Sequence, residues 1–78
     1  MKFTKLRNGV SAEWESVTDK GTFFINKSTS YNLGIVNYTV SIHLEDGGYK
    51  RLGYDLQYLR DAKAIADAFQ EYIENQNN

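Results

Sequence analysis

Residues 35–54 read IVNYTVSIHLEDGGYKRLGY. In the first ten of these, Val36, Tyr38, Val40, Ile42 and Leu44 share one side, and Asn37, Thr39, Ser41 and His43 share the other. That alternation is the mark of a strand with one face against a core. Glu45-Asp46-Gly47-Gly48 supplies a hairpin turn, and Tyr49 to Tyr54 supplies the returning strand. The length of the turn decides the faces. A two-residue Asp46-Gly47 loop sets Leu52 and Tyr54 against the polar residues Ser41 and Thr39. A three-residue loop, Asp46-Gly47-Gly48, pairs Ile42 with Leu52 and Val40 with Tyr54. A slip of one residue turns every side chain to the opposite face, so the apolar pattern selects the longer loop. Gly48 then takes the left-handed bulge position common in three-residue hairpins, and His43 lies opposite Arg51.

Downstream of the hairpin the period changes. Asp55 reads as a helix N-cap, flanked by a Tyr54–Leu59 staple. From Leu56 to about Asn75, one arc of a helical wheel carries Tyr58, Leu59, Ala62, Ile65, Ala66, Phe69, Tyr72 and Ile73, with Arg60, Lys63, Asp67, Glu71 and Glu74 mostly opposite. Ala62 and Ala66 are small enough to let the helix axis come close to a sheet. The last residues, 76–78, are expected to fray.

Upstream lie more strands. Lys2 to Arg7 and Val10 to Ser16 flank Asn8-Gly9, a strong signal for a type I′ hairpin turn. A two-residue turn there sets Phe3 opposite Trp14 and Lys2 opposite Glu15, an aromatic pair and an opposite-charge pair. Thr18 to Gly21 turns the chain into a third strand, Thr22 to Asn26. Its centre, Phe23-Phe24-Ile25, does not alternate, so that strand is either buried on both faces or carries an exposed Phe. Lys27 to Gly34 is polar and reads as the longest loop. The expectation is an α+β single domain over residues 1–78: an antiparallel sheet of about five strands, made of two hairpins and a middle strand, packed on one C-terminal α-helix.

The chain has 78 residues, no Cys, no Pro, one His, and nine Lys+Arg against ten Asp+Glu. Without cysteine there is no disulfide framework, no thiolate metal site and no cysteine nucleophile. No apolar run is long enough to span a membrane, and the first residues, MKFTKLRNG, lack the apolar stretch of a signal peptide, so a cytoplasmic address is expected. A lone His43 without Cys makes no ordinary zinc site and reads as a surface or edge residue. Glu13 with Glu15, and Glu45 with Asp46, read as solvated charges rather than the two carboxyl groups of a glycosidase cleft. No glycine motif for phosphate and no G-x-S-x-G context occurs. The expectation is therefore a chain that is not an enzyme and takes no cofactor and no metal. Through residue 54 there are seven cations against five carboxylates, and after it two against five. The sheet half is mildly basic and the helix acidic. The overall balance of −1 does not favour nucleic acid, though it leaves such binding possible.

Residues 38–72, YTVSIHLEDGGYKRLGYDLQYLRDAKAIADAFQEY, run from an aromatic-led strand through a Gly turn and Leu-Gly-Tyr into a helix of the form Leu-x-Asp-Ala-x-x-x-Ala-x-x-Phe. This stretch resembles the AP2 and phage-integrase N-terminal DNA-binding domains. The resemblance implies strands packed on a C-terminal helix, with Lys50 and Arg51, joined by Lys5 and Arg7, reaching phosphates or base edges. This sheet is poor in Arg, and Trp14 is expected in the core of the first hairpin rather than at DNA. In size, lack of Cys and aromatic-rich strands, the whole chain resembles small single-domain proteins of phages and prophages, including anti-CRISPR and other anti-defence inhibitors. That resemblance implies a non-catalytic protein docking on a host protein or nucleoprotein complex, as a monomer or homodimer, with no membrane partner. Tyr is favoured in interfaces. The candidate binding residues are accordingly Lys27, Tyr31 and Asn32 of the polar loop, with Tyr49, Lys50 and Arg51 of the last strand. An apolar residue at Phe23 or Phe24 standing out of the sheet would favour a protein partner.

Overall fold

Each strand of this sheet lies beside its neighbour in sequence. The computed structural model describes residues 1–9, 11–30 and 33–76. Five strands, β1 (Thr4–Arg7), β2 (Glu13–Val17), β3 (Gly21–Ser30), β4 (Ile35–Leu44) and β5 (Tyr49–Leu56), form one antiparallel sheet in the order β1-β2-β3-β4-β5. Among the described residues there is one helix, α1 (Leu59–Asn75), which packs mainly on β4 and β5 and touches β3. The fold is α+β, an antiparallel sheet with one C-terminal helix, as the patterning predicts. Among the described residues, no helix is long and apolar enough to cross a membrane.

The core lies between the helix and one face of the sheet. Phe23, Ile25, Val40, Ile42, Ala62 and Ala66 are fully buried there, with Ala12 and Trp14 nearly so. Phe3, Tyr38, Leu44, Leu52, Leu56, Leu59, Ile65, Phe69 and Ile73 pack around them. The alanines do what their size predicts: both are fully buried, so the helix axis sits close over the sheet. Phe23 meets Phe69 edge-on with centroids 6.4 Å apart, and Lys5 Nζ lies 5.4 Å from the centre of the Trp14 ring. Trp14 is thus a core residue of the sheet.

Several local expectations are corrected. The first hairpin is not closed by a two-residue turn. Thr4 faces Glu15 and Lys5 faces Trp14, with an irregularity before Arg7 and Glu13. β2 begins at Glu13 rather than Val10, because Ala12 has left the ladder to β1 and its carbonyl accepts the Lys27 N–H at 2.8 Å. Val10 itself lies outside the described residues. The slip is by two residues, so Phe3 stays on the core side.

The region Lys27–Ser30, expected in a loop, extends β3. Lys27 faces Tyr38 and Ser30 faces Ile35. Polar side chains suit these positions because none of the described residues from Lys27 to Thr39 is buried.

The turn into β5 has three residues, as expected, but one position earlier. Leu44 N–H donates to the Gly48 carbonyl at 2.7 Å, so Glu45-Asp46-Gly47 forms the loop, and Gly47 carries the positive φ of 95° expected at Gly48. Asp46 explains the choice. Its Oδ1 accepts the Gly48 N–H at 2.9 Å, an Asx turn that closes the loop early. In consequence Ile42 faces Lys50, His43 faces Tyr49 and Val40 faces Gly53, rather than Leu52, Arg51 and Tyr54. Two irregularities in β5 then absorb extra residues and restore Leu56 to the core side, opposite Tyr38.

Asp55 is not the helix cap. It belongs to β5, with φ at 55°, and the helix begins only at Leu59. Tyr58 is the cap residue and makes no side-chain capping bond. Burial of Leu56 and Leu59 on the core outweighs the capping preference of Asp, and the Tyr54–Leu59 staple has no cap to flank.

Candidate functional site

The side of the sheet away from the helix has no element packed on it among the described residues. Alternation and register determine what stands there. One row across the sheet reads Glu15, Phe24, Ser41, Arg51, from β2 to β5. The next reads Val17, Thr22, His43, Tyr49. On the other side of the first row lie Glu13 and Asn26, with Arg7 on β1.

Two groups order this face. Phe24, His43 and Tyr49 form a chain of edge-on rings across β3, β4 and β5. Phe24 and His43 have centroids 5.2 Å apart at 76°, and His43 and Tyr49 have centroids 5.0 Å apart at 78°. Edge-on packing of this kind is the favoured arrangement of aromatic pairs. The second group is polar. Glu13 Oε2 accepts from Asn26 Nδ2 at 2.6 Å and from an Arg7 amino group at 3.3 Å, while Arg7 Nε donates to the Ser11 carbonyl at 3.0 Å. These bonds fix one rim of the face. Between the two groups is a shallow depression of about 310 Å³ lined by Glu13, Phe24, Asn26, Ser41, His43 and Tyr49, with Ser41, the smallest of the six, itself buried.

The residues expected to bind are divided by this geometry. Tyr49 and Arg51 stand on the uncovered face, both exposed. Lys50, between them, points to the helix side, where its Nζ lies 5.7 Å from the centre of the Phe69 ring. Lys27 is half-buried in β3, on the same side as the core. Tyr31 and Asn32 lie outside the described residues. The expected loop-and-edge grouping is therefore not one surface: Tyr49 and Arg51 are brought together, and Lys50 and Lys27 are turned away.

The choice left open at Phe23-Phe24-Ile25 has a clear outcome. Phe23 and Ile25 are fully buried in the core, and Phe24 is half-buried on the uncovered face beside two other rings. His43, Glu13 and Asn26 are residues that sequence reading did not assign to a site, whereas Arg7 was named only for contact with DNA and Phe24 only as one of two residues that could project from the sheet. The signal was present in the alternation of β4, which puts His43 on the side of Ser41. It needed the pairing of β3 with β4 to bring Phe24 beside it, and that pairing depends on a long-range register.

The uncovered face mixes polar and aromatic groups. In the rows named above, its polar groups are two guanidiniums, two carboxylates, hydroxyls, an amide and one imidazole, set around aromatic rings. Among the described residues no three His, Cys, Asp or Glu side chains are placed to hold a metal ion. The depression is shallow and open rather than an enclosed cavity. Comparison with known proteins finds no matching family model, no matching curated protein and no matching solved structure.

Proposed function

We propose that this chain is a non-catalytic protein-binding domain that docks through the uncovered face of its sheet, in the manner of the small phage inhibitors it resembles, by covering a surface of a larger host protein. The observation that carries this reading is the position of Phe24. A large aromatic side chain, half-buried, lies on the uncovered side of the sheet, flanked by His43 and Tyr49 and bordered by charges of both signs. Aromatic and Arg side chains around a desolvable centre, with a polar rim, are the composition of a protein interface.

The face favours protein over nucleic acid. Arg7 and Arg51 are balanced on it by Glu13 and Glu15, and Lys50 points to the other side. A surface that tracks phosphates needs an excess of cations. The DNA-binding reading drawn from residues 38–72 therefore has only Arg7 and Arg51 to work with on this face.

Affinity capture from bacterial lysate with the wild-type chain and with Phe24→Ser tests the proposal. A protein held in stoichiometric amount by the wild type and released by Phe24→Ser, with circular dichroism unchanged, supports it. No stoichiometric partner, or one held equally by both, overturns it. A low-salt mobility shift with duplex DNA that vanishes in Arg51→Ala would instead support the nucleic-acid reading.

A further inference from the structure

We propose that the uncovered face has a second occupant built into its own pattern: another copy of this chain, packed sheet against sheet about a two-fold axis that runs along the strands between β3 and β4. This deepens the docking-surface reading and rests on it. The inference comes from the two rows already described. A two-fold axis in that position exchanges β3 with β4 and β2 with β5. Each residue of a row then faces the residue at the mirrored place in the same row of the copy. Glu15 on β2 meets Arg51 on β5, and the exchange gives the same pair twice. Phe24 on β3 meets Ser41 on β4, so the largest side chain of the row faces the smallest. In the next row Val17, 72 % exposed, meets Tyr49, 55 % exposed, and Thr22 meets His43.

Three kinds of complementarity thus follow from one operation: charge with opposite charge, large with small, apolar with apolar. Glu15 and Arg51 are about 14 Å apart within one chain, across three strand spacings, and so are too far to pair with each other. Neither belongs to an ion pair among the described residues, in contrast to Glu13, which Arg7 already holds. The depression over Ser41 offers about 310 Å³ to the incoming Phe24 ring, beside His43 and Tyr49. Sheets packed in this aligned way sit about 10 Å apart and cross by about 30°, which keeps the central row in register and lets the outer rows splay.

The size of the face sets the strength. Five strands span about 20 Å, and the five residues of β2 about 17 Å, which gives less area than the ~800 Å² per partner of a standard interface. The dimer is therefore one that comes apart on dilution, and a target that takes the same face displaces the copy.

The test is sedimentation velocity of the full chain from about 10 μM to about 1 mM, the range that so small an interface implies. The expected result is a weight-average mass rising from 9.0 kDa toward twice that value. Glu15→Arg alone and Arg51→Glu alone should each weaken association at least tenfold, and the two together should restore it to within about threefold of wild type. Recovery in the double variant is a readout that a folding defect cannot produce. A mass that stays at 9.0 kDa over the whole range overturns the proposal. So do single reversals that leave association unchanged, or a double reversal as weak as the singles. A monomeric chain that still holds a lysate protein through Phe24 overturns self-docking alone and leaves the docking surface in place.

Discussion

Asp55 sits in the second irregularity of β5 with φ at 55°, a backbone conformation in which an L side chain crowds its own carbonyl. Asp tolerates it better than most residues, and glycine has no such cost. Replacing Asp55→Gly should therefore raise stability by about 0.5 kcal/mol, and Asp55→Val should lower it by about 1–2 kcal/mol, both read from urea unfolding midpoints. Gly21 makes the opposite case. Its φ is 157°, and a Cβ built on it would stand 2.5 Å from the His43 carbonyl oxygen on β4. Backbone on backbone leaves no soft side chain to yield. Gly21→Ala should cost about 2 kcal/mol or more in the same measurement, because the central pair β3–β4 must part to admit it. Neither role was legible from residue type. Asp before an amphipathic run has the look of a cap, and a Gly after Asp-Lys has the look of a turn. The surrounding elements decide otherwise, through Leu56 in the first case and the closeness of β4 in the second.

The elements were legible where the period was long. The run of α1 to Asn75 and most of its packed arc (Leu59, Ala62, Ile65, Ala66, Phe69 and Ile73) follow from spacing alone, with Ala62 and Ala66 in the core as their size and place predict, whereas Tyr58 and Tyr72, expected on the same arc, are exposed. The alanines give a clean contrast. Ala66→Leu forces a larger side chain between helix and sheet and should cost about 1–3 kcal/mol, whereas Ala64→Leu, on the exposed side of the same turn, should stay within about 0.5 kcal/mol. Thermal melts of the two variants check this directly. The start of the helix was less legible, because Tyr58 is a poor cap by type. It makes no capping bond, although its ring stacks 4.5 Å from the Arg60 guanidinium. Tyr58→Ser should gain about 0.5–1 kcal/mol from a new cap, less whatever the ring contact contributes; a loss in the melt would place the ring contact above the cap. Registers were the hardest to read. The first hairpin is offset from the expected pairing by two residues at Thr4 and Lys5 and by three at Arg7, and the second by two near its turn. An offset of two leaves faces intact while exchanging partners, so apolar alternation cannot detect it, whereas the irregularity before Arg7 turns that side chain to the uncovered face. That is why the core was foreseen and the row Glu15, Phe24, Ser41, Arg51 was not.

At the scale of the molecule, the shape follows from unequal strands. β3 and β4 have ten residues each and β2 has five, so the central hairpin outruns its neighbours, and the chain measures 48 Å along one axis against 21 and 19 Å along the others. The registers with β2 and β5 end at Asn26 and Tyr38. The edge strand β1 is short, and β1 and β5 are both irregular, with Lys50 and Arg51 on β5. Such features discourage edge-to-edge pairing. The two ends of the central hairpin have different fates. Near Gly21 and Leu44 it lies under the helix, with Phe23, Ile25, Val40 and Ile42 fully buried. Toward Ser30 and Ile35 nothing described is buried, and Ile35 and Leu33 are exposed. Backbone hydrogen bonds without apolar cover open locally at a fraction of the global cost. Hydrogen exchange should therefore grade along one hairpin. Amides of Ser28–Ser30 and Ile35–Asn37 should exchange at least about a hundredfold faster than those of Phe23–Ile25 and Val40–Ile42, and strong denaturant dependence should appear only in the second group. Equal protection at both ends would mean that the distal strands are held by something other than the core beneath the helix. It would also predict that the face around Phe24 is stiffened from both sides rather than from one.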